Sequence, residues 1–106
     1  MELHKQKCVP CEGGTPTFKP KQTKEYLKKT PNWKAIKNHH LYREFKFKDF
    51  KSAQNFANKV GKIAEKENHH PDIQLGWGYV NITTYTHAIN GLSINDFILA
   101  AKINKI

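Results

Sequence analysis

The sequence predicts a two-layer α/β (α+β) domain in which three helices cover one face of a four-stranded antiparallel sheet, in the order α-β-β-α-β-β-α. Two pairs of segments alternate apolar and polar residues, and a short turn joins the members of each pair, as in β-hairpins. A long amphipathic segment lies between the pairs, and shorter helical segments precede and follow them. At 106 residues the chain has the length of one domain with a single core.

The N-terminal segment has a composition that disfavours regular structure. Glycine and proline recur through residues 1–22, which predicts a flexible arm, and residues 23–106 are predicted to form the single domain. Thr23 is the predicted N-cap of a short helix over residues 24–29, and Pro31 would end that helix.

The first hairpin is predicted between Trp33 and Lys48. Leu41, Phe45 and Phe47 alternate with polar residues, which is the pattern of a strand with one face in water. His39 and His40 fall in the polar turn of this hairpin and are interpreted as solvated turn residues.

The main helix is predicted to follow Asp49, a good N-cap, and to run to about Glu67. Apolar residues recur at intervals of three and four along it: Phe50, Ala53, Ala57, Val60 and Ala64. Pro71 disfavours helical backbone at the preceding residue, so the chain should become extended at His70.

The second hairpin and the last helix complete the order. Ile73, Leu75 and Trp77 alternate with polar or small residues, as do Val80, Ile82 and Thr84 after a glycine-containing turn. Ser93 and Asp96 have the spacing of a capping box, which predicts a helix whose apolar face includes Ile94, Phe97, Ile98 and Ala101.

The net charge of +9 does not by itself favour a nucleic-acid partner. Arg43 is the single arginine among the 18 basic residues, whereas bidentate recognition of bases and phosphates favours arginine. The lysines are also spread along the chain, so a solvated basic surface is the preferred interpretation.

The chain contains no apolar run long enough for a membrane span and begins with polar residues, so the sequence predicts an intracellular, cytoplasmic protein.

Cys8 and Cys11 have the spacing of a metal or redox pair, but no second pair completes a zinc site. A flexible reduced tail is favoured, with a weak metal site as the alternative.

Three of the histidines predict the position of an acid-base site. His69 and His70 stand where the main helix should end, and His87 follows the last strand. Because the imidazole group exchanges protons near neutral pH, an acid and a base of this type suffice to eliminate water. Glu65, one helical turn before His69, is predicted to orient that imidazole, and the helix dipole would favour its charged form.

Two other interpretations stay open at this point. Three histidines and a carboxylate could bind zinc, although adjacent histidines in extended chain diverge and fit a tetrahedral ion poorly. Helix-terminal histidines could instead bond the last helical carbonyl groups. Asp96 likewise has a structural explanation, because a carboxylate in the first turn stabilises a helix.

The spacing of these residues is similar to the signature of the pterin-4a-carbinolamine dehydratases. Seven positions with fixed gaps carry the resemblance, which is a specific signal: Glu65, His69, His70, Pro71, Trp77, His87 and Asp96. The similarity covers nearly the whole chain, including the Cys-x-Pro-Cys-like start, Trp33, Phe45-Lys46-Phe47, Thr86-His87 and Gly91-Leu92-Ser93.

The resemblance implies an activity and a site. Family members dehydrate 4a-hydroxytetrahydrobiopterin to quinonoid dihydropterin, which recycles tetrahydrobiopterin, and they act as homodimers or homotetramers without metal or organic cofactor. Carried over, the catalytic group is His69, His70 and His87, the substrate-binding residues add Asn68, Tyr85 and Thr86, and the supporting residues are Glu65, Trp77 and Asp96. Tyr85 departs from the small hydroxyl residue of the family, so its contact with substrate is expected through the backbone.

The family resemblance also implies other functions. Animal members serve as dimerisation cofactors of a homeodomain transcription factor, so a non-catalytic scaffold role is one alternative. Another is the same chemistry in a different pterin pathway, such as molybdopterin metabolism.

Overall fold

A computed structural model describes residues 2–10 and 13–106 of the chain. The α-helices of this part are α1 (Pro20–Leu27), α2 (Phe50–Glu67) and α3 (Ile94–Ile103), and the strands are β1 (Lys34–Ile36), β2 (His40–Lys46), β3 (Asp72–Gly76) and β4 (Tyr79–Thr84). Single turns of 3₁₀-helix cover Leu3–Lys5 and His87–Ile89. The predicted fold class and element order are confirmed.

The strands form one antiparallel sheet in the order β1-β2-β4-β3. Leu41 at the start of β2 pairs with Thr84 at the end of β4, and Asp72 at the start of β3 pairs with Thr83. This register brings the β1–β2 turn, the chain entering β3 and the chain leaving β4 to the same end of the sheet. The predicted histidine-rich segments therefore meet in space.

Turn chemistry fixes both hairpins. Lys37 and Asn38 both have a φ of 52°, and the N–H of His39 donates to the carbonyl of Ile36 at 2.9 Å, as in a type I′ turn. Gly78 in the β3–β4 turn has a φ of 81°, a backbone conformation that glycine adopts without steric cost.

The core lies between the sheet and the helices. Leu41, Val80 and Ile82 project from the two central strands and are fully buried, and α3 is buried along most of its length. Aromatic rings of Phe18, Tyr26 and Phe97 pack together with centroids 5.1–5.4 Å apart. Burial of these apolar side chains is the main force that holds the two layers together.

Two local predictions were wrong. Thr23 does not cap α1, because the helix begins at Pro20, whose fixed φ suits the first helical position, and Gln22 accepts the N–H of Lys19 at 2.9 Å. Phe50 is 43% exposed, because it is the first residue of α2 and lies at the end of the apolar face rather than within it.

The N-terminal segment makes several contacts with the domain. Leu3 is 7% exposed against the core, and the N–H of Phe18 donates to the carbonyl of Leu92 at 2.8 Å. The division into a flexible arm and a domain beginning at residue 23 stays a prediction, because these contacts do not measure motion. Within the described residues, no helix combines the length and apolar character needed to cross a bilayer.

Candidate active site

His69, His70 and His87 line one cavity of about 380 Å³ at the end of the sheet where the two hairpins meet the helices. This volume lies within the range of small-molecule sites, roughly 300–1,000 Å³. The remaining lining residues come from the N-terminal segment, the end of α2, the chain after β4 and the start of α3: Cys8, Val9, Pro10, Glu67, Asn68, Tyr85, Thr86, Ala88 and Asn95.

The end of α2 aims the two adjacent histidines in different directions. Asn68 has the left-handed conformation, with φ 52° and ψ 39°, which asparagine tolerates better than most residues. Its N–H and that of His69 bond to the last turn of the helix, to the carbonyls of Glu65 and Ala64. The chain therefore leaves the helical path before His69, and the i,i+4 relation with Glu65 is lost.

His69 pairs with Asp96. Its Nε2 lies 2.7 Å from Oδ1 of Asp96, with the carboxylate fully buried and the imidazole 11% exposed. When Nε2 carries the proton donated to the carboxylate, Nδ1 is the nitrogen available to a bound molecule.

Asp96 is held from several sides. Thr84 donates its hydroxyl to Oδ1 at 2.7 Å, Thr86 donates to Oδ2 at 2.8 Å, and the N–H of Ser93 donates to Oδ2 at 3.0 Å. The predicted capping box of α3 is thus confirmed, and the same carboxylate also binds His69. Both of its oxygens are occupied, so Asp96 orients the imidazole and is not itself exposed to the cavity.

Glu65 pairs with His70. Its Oε2 accepts from Nε2 of His70, and both side chains are largely in solvent. The predicted Glu65–His69 pair was wrong, because the left-handed turn at Asn68 takes His69 off the helix and away from Glu65. The three histidines therefore have unequal surroundings, with His69 on a buried carboxylate and His70 on an exposed one.

His87 begins the 3₁₀ turn after β4 and is exposed. The Tyr85 ring packs edge-on against its imidazole with centroids 4.2 Å apart, and the same ring also contacts His39, with centroids 4.5 Å apart. Thr86 between them faces inward, and its hydroxyl is committed to Asp96 and Ser93.

His39 and His40 are packed more closely than a solvated turn implies. Their Nδ1 atoms lie 3.0 Å apart, and Nε2 of His39 lies 2.9 Å from Oδ1 of Asn90. Burial, the charge of His39 and the charge of Lys37 together lower the pKa of His40. The prediction missed these contacts because the partners Tyr85 and Asn90 lie on a different hairpin and loop.

Trp77 does not belong to this cluster. It lies in the β3–β4 turn, 72% exposed, at the opposite end of the hairpin from His87. With a rise of about 3.3 Å per residue, the length of β3 separates it from the cavity. Trp77 is not among the residues that line the cavity, and its supporting role stays a prediction.

Several cavity residues were missed by the sequence reasoning. Cys8, Val9 and Pro10 were assigned to the arm, and Glu67 and Asn95 carried no motif. Composition gives no information on where an arm packs, so no local signal would have found these residues. Cys11, the second cysteine of the pair, lies outside the described residues.

The arrangement can transfer protons to and from one small molecule. Imidazole groups with different partners face a shared cavity, and carboxylates hold two of them. Residues 2–10 and 13–106 contain no group of three His, Cys, Asp or Glu side chains placed to hold a metal ion.

This chain is similar to one family of proteins in both its family-model match and its relatives. Residues 16–106 match the family model described as pterin 4 alpha carbinolamine dehydratase. The chain is 51% identical over 104 residues to a protein of Alkaliphilus metalliredigens and 45% identical over 105 residues to one of Rubrobacter xylanophilus, each named "Putative pterin-4-alpha-carbinolamine dehydratase". The alignments cover 97% and 99% of this chain and 94% and 98% of the relatives, respectively.

A solved structure is similar as well. The transcriptional coactivator/pterin dehydratase of Brucella melitensis superposes with a TM-score of 0.79 at 31% sequence identity, covering 85% of this chain and 97% of that one.

Proposed function

This chain belongs to the pterin 4 alpha carbinolamine dehydratase family, and we propose that it dehydrates 4a-hydroxytetrahydrobiopterin to quinonoid dihydropterin by histidine acid-base catalysis. The reaction would recycle tetrahydrobiopterin. The observation that carries the proposal is the convergence of His69, His70 and His87 on one cavity of a size suited to a bicyclic ring.

The proposed step moves two protons and breaks one bond. One imidazolium of the group donates its proton to the C4a hydroxyl, the C4a–O bond breaks, and its electron pair leaves with water. The N5 lone pair forms the C4a=N5 double bond, and a neutral imidazole of the group removes the ring-nitrogen proton. The protein ends with the same number of protons, so neither metal nor organic cofactor enters the balance.

The site divides into residues that touch the substrate and residues that hold them. In the proposal His69, His70 and His87 are catalytic, and Asn68 and Tyr85 contact the ring. Thr86 contributes through its backbone, since its hydroxyl is committed to Asp96. Asp96 and Glu65 are positioning residues, acting through His69 and His70 respectively.

We further propose the homodimer or homotetramer and the cytoplasmic location that the family resemblance implies. Support for association comes from β3, an edge strand on which Ile73 and Leu75 remain 37% and 38% exposed. An edge strand with apolar side chains is a surface that proteins commonly cover.

The double variant His70→Ala/His87→Ala tests the catalytic assignment. Purified wild-type protein should accelerate the loss of enzymatically generated 4a-hydroxytetrahydropterin, followed by ultraviolet absorbance, and the double variant should not. Histidines at the rim of the cavity are exposed, so the variant should keep the wild-type circular dichroism and melting temperature. Unchanged rates in the folded variant would refute the assignment.

A binding role is the second candidate, because the similar Brucella melitensis protein is described as both a coactivator and a pterin dehydratase. A wild-type protein that binds dihydropterin and accelerates no dehydration would favour this role. Comparing the dehydration rates of several pterin substrates in the same assay would test whether the protein acts in a different pterin pathway.

A further inference from the structure

We propose that residues 8–10 form a wall of the pterin cavity and that Asn95 and Glu67 are positioning residues that hold this wall in place. The inference rests on the proposed function, which supplies the ligand. Cys8, Val9 and Pro10 all line the cavity that contains the three histidines, although they are more than fifty residues away from them in sequence.

Asn95 fastens the wall to the start of α3. Its Oδ1 accepts the N–H of Val9 at 3.0 Å, and its Nδ2 donates to the carbonyl of the same residue at 2.5 Å. The asparagine is 3% exposed. A buried amide that bonds both backbone groups of one residue fixes the position and the direction of the chain there.

Glu67 fastens the wall to the end of α2. Its Oε1 accepts the N–H of Cys8 at 2.9 Å, and its Oε2 lies 3.7 Å from Nζ of Lys102. Lys102 in turn donates to the carbonyl of His4 at 2.8 Å. Two successive N–H groups of the segment are thus bound to side chains that are themselves buried and held.

The wall recognises its ligand by shape. The N–H groups of Cys8 and Val9 are taken by Glu67 and Asn95, and Pro10 has no N–H, so these backbone donors are not offered to a ligand. The thiol of Cys8 donates to the carbonyl of Asn95 at 3.6 Å, so the side chains that line the cavity here are a bonded thiol and two apolar groups. Such a surface favours the apolar face or edge of a ring without forming directional bonds to it.

A change in the wall should therefore affect substrate binding without affecting the proton-transfer step. Neither the His69–Asp96 pair nor the His70–Glu65 pair includes a residue of the wall. The region matched by the family model begins at residue 16, so the wall is formed by residues that precede it. Displacing the wall should weaken binding of substrate and transition state alike, which raises KM and leaves kcat unchanged.

The first test compares Asn95→Ala with Asn104→Ala in the full chain. Asn104 is an amide at the other end of α3 that bonds Pro31 and Trp33 outside the cavity, so it is a matched control. Losing two hydrogen bonds to the wall should raise KM about tenfold with kcat within about twofold, whereas Asn104→Ala should leave KM unchanged. An unchanged KM in Asn95→Ala would overturn the inference, as would a fall in kcat at constant KM.

The second test uses Glu67. Glu67→Ala removes the acceptor of the Cys8 N–H, while Glu67→Gln keeps an oxygen in its place. The increase in KM should be larger for alanine than for glutamine. Equal increases would mean that the charge facing Lys102, and not the bond to the wall, is what matters, and would remove Glu67 from the proposal.

The third test separates this inference from the proposed function. In a Cys11→Ser background Cys8 is the single cysteine, and its alkylation by iodoacetamide is followed by mass spectrometry. Without ligand, Asn95→Ala should speed alkylation and Asn104→Ala should not. With 7,8-dihydrobiopterin, alkylation in the Cys11→Ser protein should slow.

The outcomes of the third test differ in meaning. Calorimetric binding of dihydrobiopterin without protection of Cys8 would overturn the wall while leaving the proposed function intact. Absence of binding would overturn the proposed function and with it the pterin role of the wall. Equal alkylation rates in the two asparagine variants would overturn the anchoring role of Asn95 whatever the ligand.

Discussion

At the scale of single residues, Asp96 both caps a helix and holds a histidine that lines the cavity. It caps α3 through the N–H of Ser93, receives the hydroxyl groups of Thr84 and Thr86, and binds Nε2 of His69. Folding places the carboxylate in a fully buried position with its acceptor sites filled, so the imidazole it holds has one orientation. An orienting residue of this kind needs no contact with the substrate.

Replacing Asp96 with Asn should lower both activity and stability. An amide offers one acceptor oxygen where the carboxylate offers two, so a buried donor loses its partner at a cost of about 1–3 kcal/mol. Disorienting His69 should reduce kcat about 100-fold, the lower end of general acid-base contributions. Steady-state kinetics below the melting temperature and chemical denaturation measure the two effects.

The control for this variant is Asp49→Asn, the same substitution at the cap of α2, which has no contact with the cavity. It should leave kcat at the wild-type value. A value of kcat for Asp96→Asn within twofold of wild type would contradict the orienting role.

At the scale of elements, α2 sets the geometry of the site by the way it begins and ends. Asp49 starts the helix by accepting the N–H of Ser52 at 2.7 Å, and Asn68 ends it in the left-handed conformation. The end of the helix sends His69 toward α3 and His70 back toward Glu65. The exposed lysines that run along its outer face take no part in this geometry.

The cap at Asp49 makes the stability of α2 depend on pH. The backbone N–H of Ser52, together with its hydroxyl and nearby lysines, lowers the pKa of Asp49. A carboxyl with a lowered pKa in the folded state contributes stability above its unfolded pKa of about 3.9, and this contribution is lost as the pH falls through the folded pKa.

Asp49→Ala should therefore lower the melting temperature at pH 7, and the difference from wild type should shrink below about pH 4. Thermal denaturation followed by circular dichroism at several pH values measures this. Asp49→Asn, which keeps an acceptor oxygen, should show a smaller difference at pH 7, and because the wild-type carboxyl is the group that titrates, this difference should also shrink below about pH 4. A constant difference for the alanine variant would argue against a contribution from the ionised cap.

At the scale of the whole molecule, the sheet is covered on one face and ends in an uncovered strand. Ile73 and Leu75 pair across from the buried Ile82 and Val80, so they point toward the helix side but lie at the margin of the core. In the proposed dimer, we expect a second copy of the chain to pair with β3 and cover these side chains.

The variant Ile73→Lys/Leu75→Lys should shift the protein toward monomer. Lysine charges on an edge strand oppose pairing with another strand. Size-exclusion chromatography with light scattering gives the mass of each species, and Phe50→Lys, at an exposed apolar position of α2, is the control. A double variant with the wild-type oligomeric mass would show that β3 is not the interface.

The sequence alone determined the fold class, the order of the elements and the three histidines that line the cavity. Asp49, Ser93 and Asp96 predict the starts of α2 and α3 because a cap acts within one helical turn, and the strands follow from alternation along a few residues. The spacing of the histidines likewise indicates the family without coordinates.

Only the tertiary structure decided which partners these residues meet. Asp96 reaches His69 across 27 residues, and the wall of residues 8–10 is held by Glu67 and Asn95 across 59 and 86 residues. Patterns within a few neighbouring residues do not predict contacts between residues so far apart in sequence. Packing of α2, α3 and the N-terminal segment around the sheet sets these contacts, because residues far apart in sequence become neighbours only when the layers pack.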